Sequence, residues 1–254
     1  MWAPSGGAFW VWHNRAMQDA TTRYTDGSYL ASNPDWHDSH APWKAREIVR
    51  VLHDAGAKPK SICDVGCGTG GVMRAMAPQL PGVEMTGYEV SPQAAAMVDP
   101  GVDVVLGDFR DDSRTFDLVM AIDVFEHVPD YHGFLHDLHQ KAPQGMFHIP
   151  LDLSLYTILR DKRTLITHRE KLGHIHNFSR ETALATLRDT GWQPAHMNFT
   201  RGIFMHDKLD TTVRKLKWLP VRALMHFNEA AAAKVAAGFG LMVLAETTSG
   251  YRVA

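Results

Sequence analysis

The sequence predicts an α/β fold in which seven strands form a mostly parallel sheet with helices on both faces. Three observations predict it. Short β-branched runs are apolar throughout rather than alternating, as strands covered on both faces must be. Helical stretches separate these runs, which is the pattern of parallel strands joined by crossovers. The chain has 254 residues and is 45% hydrophobic, enough to bury one sizeable core.

Residues 1–40 carry Trp10, Trp12, Tyr24, Tyr29 and Trp36 among turn formers such as Gly27 and Pro34, with no sustained period. Such a segment is expected to lie over the rest as a cap or lid, leaving 41–254 as the domain proper. From Ala41 a helix is expected, with Pro42 at its start, Trp43, Ile48, Val49 and Leu52 along one face, and Gly56 and Pro59 at its end. Strands are then read at 61–65, 84–88, 102–106, 116–122 and 145–149, alternating with helices at 70–80, 92–98 and 133–140. Ser179 is a plausible N-cap for a helix running to Thr190. Strands at 192–199 and 239–245 follow. Two inserts interrupt the alternation: about 150–178, helical and then rich in His, Arg and Lys, and about 200–238, with two or three helices including the alanine-rich 229–237.

Charge and cysteine content narrow the function classes. A formal charge of −2 lacks the basic excess with which proteins hold nucleic-acid phosphates. No run reaches the roughly 18 apolar residues of a membrane span, and the N-terminus has no basic, apolar leader pattern. Cys63 and Cys67 are the only cysteines, so a disulfide framework is not expected and a cytoplasmic setting fits.

The chemistry begins at the end of the first strand, Asp64-Val65-Gly66-Cys67-Gly68-Thr69-Gly70. Glycines at 66, 68 and 70 let the backbone turn sharply and bring its amides against a ligand, and a Cβ at 68 would occupy ligand space. Asp64 can orient those amides or meet an amino-acid moiety. The second strand ends Tyr88-Glu89-Val90-Ser91, placing an acceptor-only carboxylate where a ribose's two hydroxyls would lie, with Val90 beside it. Both features also fit a dinucleotide site, because Gly66-x-Gly68-x-x-Gly71 satisfies that fingerprint.

The third and fourth strands carry Gly107-Asp108-Phe109 and Asp123-Val124-Phe125-Glu126-His127-Val128. In these residues the chain resembles the class I, Rossmann-like S-adenosylmethionine-dependent methyltransferases, in the small-molecule branch whose fourth strand ends in D-V-x-E-H. The resemblance covers 41–149. It implies that Asp108 takes the adenine amino group with Phe109 beside the ring, that Asp123 and Val124 border the methionine portion, and that His127 closes over the cofactor. The segment Gly173-His174-Ile175-His176-Asn177-Phe178-Ser179 and Gly191-Trp192 resembles the entry to the last helix and strand pair in the same branch. That likeness implies an antiparallel final strand, with the inserts roofing an acceptor pocket.

A sulfonium methyl group is already activated, so the protein's task is alignment and exclusion of water. An oxygen acceptor needs a base, and histidine suits it. His148 is the first choice, because it ends a parallel strand, and His174 the second. His127, His176 and Asp152 are further candidates. A small-molecule or glycan-derived acceptor is expected, with oxygen favoured over nitrogen. The basic cluster Arg160, Lys162, Arg163, Arg169 and Lys171 would draw an anionic one. The spacing of His148, His168, His174 and His176 matches no known zinc pattern, so no metal is expected. A nicotinamide-dependent oxidoreductase and a non-catalytic module of the same fold are the rival readings.

Overall fold

The computed structural model describes residues 22–160, 163–202 and 218–248. Trp10, Trp12 and Lys162 lie outside the described residues, as do the side chains of Arg160 and Arg163.

Seven strands form one sheet in the order β3-β2-β1-β4-β5-β7-β6. They are β1 (Ser61–Val65), β2 (Glu84–Glu89), β3 (Val104–Leu106), β4 (Leu118–Ile122), β5 (Gln144–Pro150), β6 (Trp192–Thr200) and β7 (Gly240–Thr247). β1 to β5 are mutually parallel, and β7 enters antiparallel between β5 and β6. All seven expected strands and the antiparallel last one are present. The order reverses between β1 and β4, whose carboxyl ends open a crevice there.

The apolar runs read as doubly covered strands are so: every residue of β4 is buried, as are Ile62 to Val65 of β1. One face carries Phe125, Phe134, Leu135, Phe147, Leu187 and Trp192; the other carries Ala45, Ile48, Leu52, Ile62, Met120 and Met146. The helix Ala41–Ala55 supplies much of the second layer. Its buried face runs through Ala41, Ala45, Ile48, Val51 and Leu52, whereas Trp43 and Val49, expected on that face, are half-buried at its margin. Gly56 ends it in the left-handed conformation.

Ser179 caps the helix Arg180–Asp189 in a reciprocal box with Thr182. In the first insert, helices Leu155–Arg160 and Arg163–Thr167 lead into a π-turn, His168–Leu172. In the second, helices Leu219–Phe227 and Glu229–Val235 precede β7, and Ala232 and Ala233 reach the core. Both cysteines are buried and free. No helix among the described residues is long and apolar enough to cross a membrane.

Candidate active site

A cleft of about 290 Å³ opens at the carboxyl ends of β1 and β4. Its floor is the glycine loop. Gly66, Gly68 and Gly70 take φ of 72°, 59° and 73°, a region costly for any residue with a Cβ. The loop is pinned by its neighbour strand: the Gly66 and Cys67 amides donate to the Tyr88 carbonyl at 2.8 and 3.2 Å. Close approach is built in at two glycines. A Cβ on Gly66 would meet Val124 Cγ2 at 2.9 Å, and one on Gly68 would meet Trp36 Cδ1 at 2.8 Å.

Glu89 lies behind this floor, 6% exposed, with each carboxylate oxygen accepting one amide: Gly68 N–H on Oε2 and Ser91 N–H on Oε1, both at 2.8 Å. Burial pushes its pKa up, and the two amides partly offset that. Asp64 lies on the cleft wall, and burial raises its carboxyl to about 7, with Lys44 opposing and Glu89 adding to the rise.

The opposite wall comes from β4 and the first insert. Asp123 adopts φ 57°, turning its carboxylate back across the sheet end. One oxygen pairs with His148 Nδ1, the other with Lys44 Nζ at 2.7 Å. Burial works against the Asp123 charge, but His148 and Lys44 outweigh it and hold the carboxyl well below its usual range. His127 lies beside His174, ring centres 5.0 Å apart, and burial together with His174 lowers its pKa to about 3. The His174 ring is oriented by Asp152, whose Oδ2 accepts from Nδ1 at 2.6 Å. Burial raises Asp152, yet the imidazoles of His168 and His174 prevail and keep it strongly acidic.

The N-terminal segment forms the lip. Trp36 lies over Gly68, and Tyr29 packs between Trp36 and Tyr24 at 4.8 Å from each ring centre. Asp38 latches the segment down, accepting from the Thr69 hydroxyl at 2.8 Å and from Arg74 at 2.7 Å. Arg23 bridges to the first insert, donating to the carbonyls of Arg169 and Glu170 at 3.1 Å, and Asn33 donates to the Lys171 carbonyl.

Of the residues singled out from sequence, Asp64, Gly66, Cys67, Gly68, Asp123, His127 and His174 line the cleft. Gly70 caps the next helix in the left-handed conformation, and Val124 lies beneath Gly66. Val90 is half exposed beyond Glu89. Asp108 accepts from the Arg110 amide at 3.0 Å and caps its own turn, while Phe109 is turned into the core against Phe134.

His148, the first choice for a base, is differently employed. It is 5% exposed, with Nδ1 on Asp123 and Nε2 on the Thr200 hydroxyl at 2.7 Å, so neither ring nitrogen faces the cleft. The reason is β7: inserted beside β5, it brings β6 and Thr200 over the end of the strand. His176 turns away to the Val128 carbonyl. Lys44, His37 and Asp38 line the cleft without any sequence signal; Lys44 is marked only by the need of buried Asp123 for a cation.

Two groups of side chains have the donor types to hold a metal ion, Glu126 with His127 and His174, and Asp152 with His168 and His174.

The methyltransferase domain family matches residues 37–197, more than half of the chain, from the lip through the glycine loop to β6. The chain belongs to that family. This methyltransferase domain is 30% identical to norajmaline N-methyltransferase of Rauvolfia serpentina over 116 residues, 40% of this chain and 39% of the relative. It is 34% identical to a probable chloroplastic tocopherol O-methyltransferase of Oryza sativa subsp. japonica over 110 residues, 39% of this chain and 30% of that one. The methyltransferase domain thus spans about a third to two fifths of these relatives. The plantazolicin methyltransferase BpumL, solved in complex with SAH, shares its fold with TM-score 0.56 and 13% identity over 93% of this chain and 99% of that one.

Proposed function

We propose that this chain is an S-adenosylmethionine-dependent methyltransferase that methylates an oxygen of a small-molecule acceptor. The observation that carries this reading is the pairing, across one cleft, of the glycine loop and Asp64 with an imidazole, His174, that is oriented by the Asp152 carboxylate. The residues fit the cofactor. The loop's left-handed glycines leave room for a ligand where side chains would stand, and Glu89, hydrogen-bonded to the Gly68 amide from the neighbouring strand, has the acceptor chemistry for ribose hydroxyls. Bound there, S-adenosylmethionine supplies an activated methyl group on a sulfonium.

The chain's own residues do the remainder. Lys44 and His148 fix Asp123 at the edge of the cleft, where its charge would meet the methionine portion of the cofactor. Trp36 and Tyr29 exclude water from above, which strengthens every charge interaction beneath. His174 receives the acceptor's proton at Nε2, because Nδ1–H is committed to Asp152, and the Asp152 charge stabilises the imidazolium that forms. Lys171, exposed beside Leu172 of the rim, would meet an anionic or glycan-derived acceptor.

SAH at about a hundred times its dissociation constant should stabilise the protein by roughly 2.7 kcal/mol. A melting curve that responds to NAD and not to SAH overturns the proposal in favour of the oxidoreductase. A second reading, methylation of nitrogen, is favoured by the likeness to norajmaline N-methyltransferase. An amine in its neutral form needs no base, so turnover that survives His174→Asn selects it.

A further inference from the structure

The first insert assembles a group of side chains larger than proton transfer requires. Asp152, just beyond β5, faces two imidazoles: His174 Nδ1 at 2.6 Å from Oδ2 and His168 Nδ1 at 3.1 Å from Oδ1. Only the first is a well-aligned hydrogen bond. His168 Nδ1 is buried and has no hydrogen-bond partner despite its distance from the carboxylate. The three donor atoms lie within 4.8 Å of one another, so small side-chain rotations bring them to the about 2.0–2.2 Å shell of a tetrahedral ion.

The surrounding charge points the same way. Glu126 is 1% exposed and neither of its carboxylate oxygens has a hydrogen-bond partner, while Asp152 stands in the same region. Of the nearby cations, Lys44 is committed to Asp123 and Arg23 to backbone carbonyls. Neither cation is therefore available to the Asp152 group.

We propose that Asp152, His168 and His174 bind a divalent ion of the zinc class, and that its occupancy switches methyl transfer off. Two nitrogens and one carboxylate suit zinc or a neighbouring first-row ion over magnesium, which prefers oxygen. His168 retains 28% side-chain exposure, giving the ion a path from solvent that the enclosed Glu126 lacks. On binding, the ion takes the Nδ1 lone pair of His174, and the neutral ring's single proton passes through solvent from Nδ1 to Nε2. Nε2 is the nitrogen that accepts from the acceptor hydroxyl, so the base is lost. This second half rests on the base role given to His174 above; the ion site itself does not.

Equilibrium dialysis against zinc, with metal analysis of the protein and without cofactor or acceptor, tests the site independently of methyl transfer. Wild type should retain one zinc per chain, His168→Asn should bind at least about tenfold more weakly, and His127→Asn should bind as wild type does. Cobalt in place of zinc should give the intense visible bands of a tetrahedral site in wild type, a measurement that needs no variant to fold. No zinc retained by wild type, equal binding by folded His168→Asn, or absent cobalt bands overturns the site. Saturating zinc should abolish wild-type turnover while His168→Asn keeps its rate at the same zinc concentration. Turnover unchanged or raised by zinc overturns the switch.

Discussion

His148 and Asp123 form a buried pair in which the imidazole, held from behind by the Thr200 hydroxyl, fixes a carboxylate whose backbone is in the left-handed region. This is a positioning role. Removing His148 leaves Asp123 with Lys44 alone, so the cost should stay below the about 3–5 kcal/mol of a fully uncompensated buried charge. His148→Ala should therefore unfold at lower denaturant and bind SAH more weakly. Its turnover should keep the wild-type pH profile, since the proton goes elsewhere. A pH–rate profile that loses its acid limb in this variant would return His148 to the role of base.

Asp64 should make cofactor binding depend on pH. Burial raises its carboxyl to about 7, so it is largely protonated at pH 6 and ionised at pH 8. A ligand ammonium group selects the ionised form. SAH affinity should thus rise about tenfold between pH 6 and 8, the span of the titration around a pKa near 7. Isothermal titration should record proton release on binding at pH 6, and Asp64→Asn should remove both the release and the pH dependence.

Glu89 supports the loop from beneath through the amides of Gly68 and Ser91. In Glu89→Ala both amides lose their acceptor, and a ligand ribose loses its own partner. SAH should bind at least about tenfold more weakly, the loss of one charge-assisted bond. Unchanged affinity in a titration of the folded variant would remove Glu89 from the ribose site.

Asp38 is the latch of the lip, with one oxygen on the Thr69 hydroxyl and the other on Arg74. Asp38→Ala should speed amide exchange across residues 22–40 while leaving the strands protected. SAH should slow that exchange in wild type far more than in the variant. Equal protection in the two proteins would show that the lip is held by its aromatic packing alone.

The sheet was legible because its signals are local: apolar runs such as Leu118–Ile122 and the glycines that end β1 state their own geometry. The same holds for the Ser179–Thr182 box. What escaped is what depends on distant chain segments meeting. His148 reads as a strand-end group facing a crevice, and only the antiparallel insertion of β7 brings Thr200 onto its far nitrogen. Lys44 is one lysine among many until Asp123 is placed beside it. Phe109 follows an acidic residue at a strand end, and only the later helix that carries Phe134 gives its ring a packing partner in the core.

The tie from Arg23 to the carbonyls of residues 169 and 170 joins parts of the chain more than 140 positions apart. Closing so long a loop costs entropy that only a sheet already in place can offset. The rim should then form after the sheet and open before it. Its polar bonds at the exposed edge can open and reclose many times while the hydrogen-bonded strands below stay shut. The entrance to the cleft can therefore open without loss of the fold, and a ligand held beneath Trp36 should leave at a rate set by the rim.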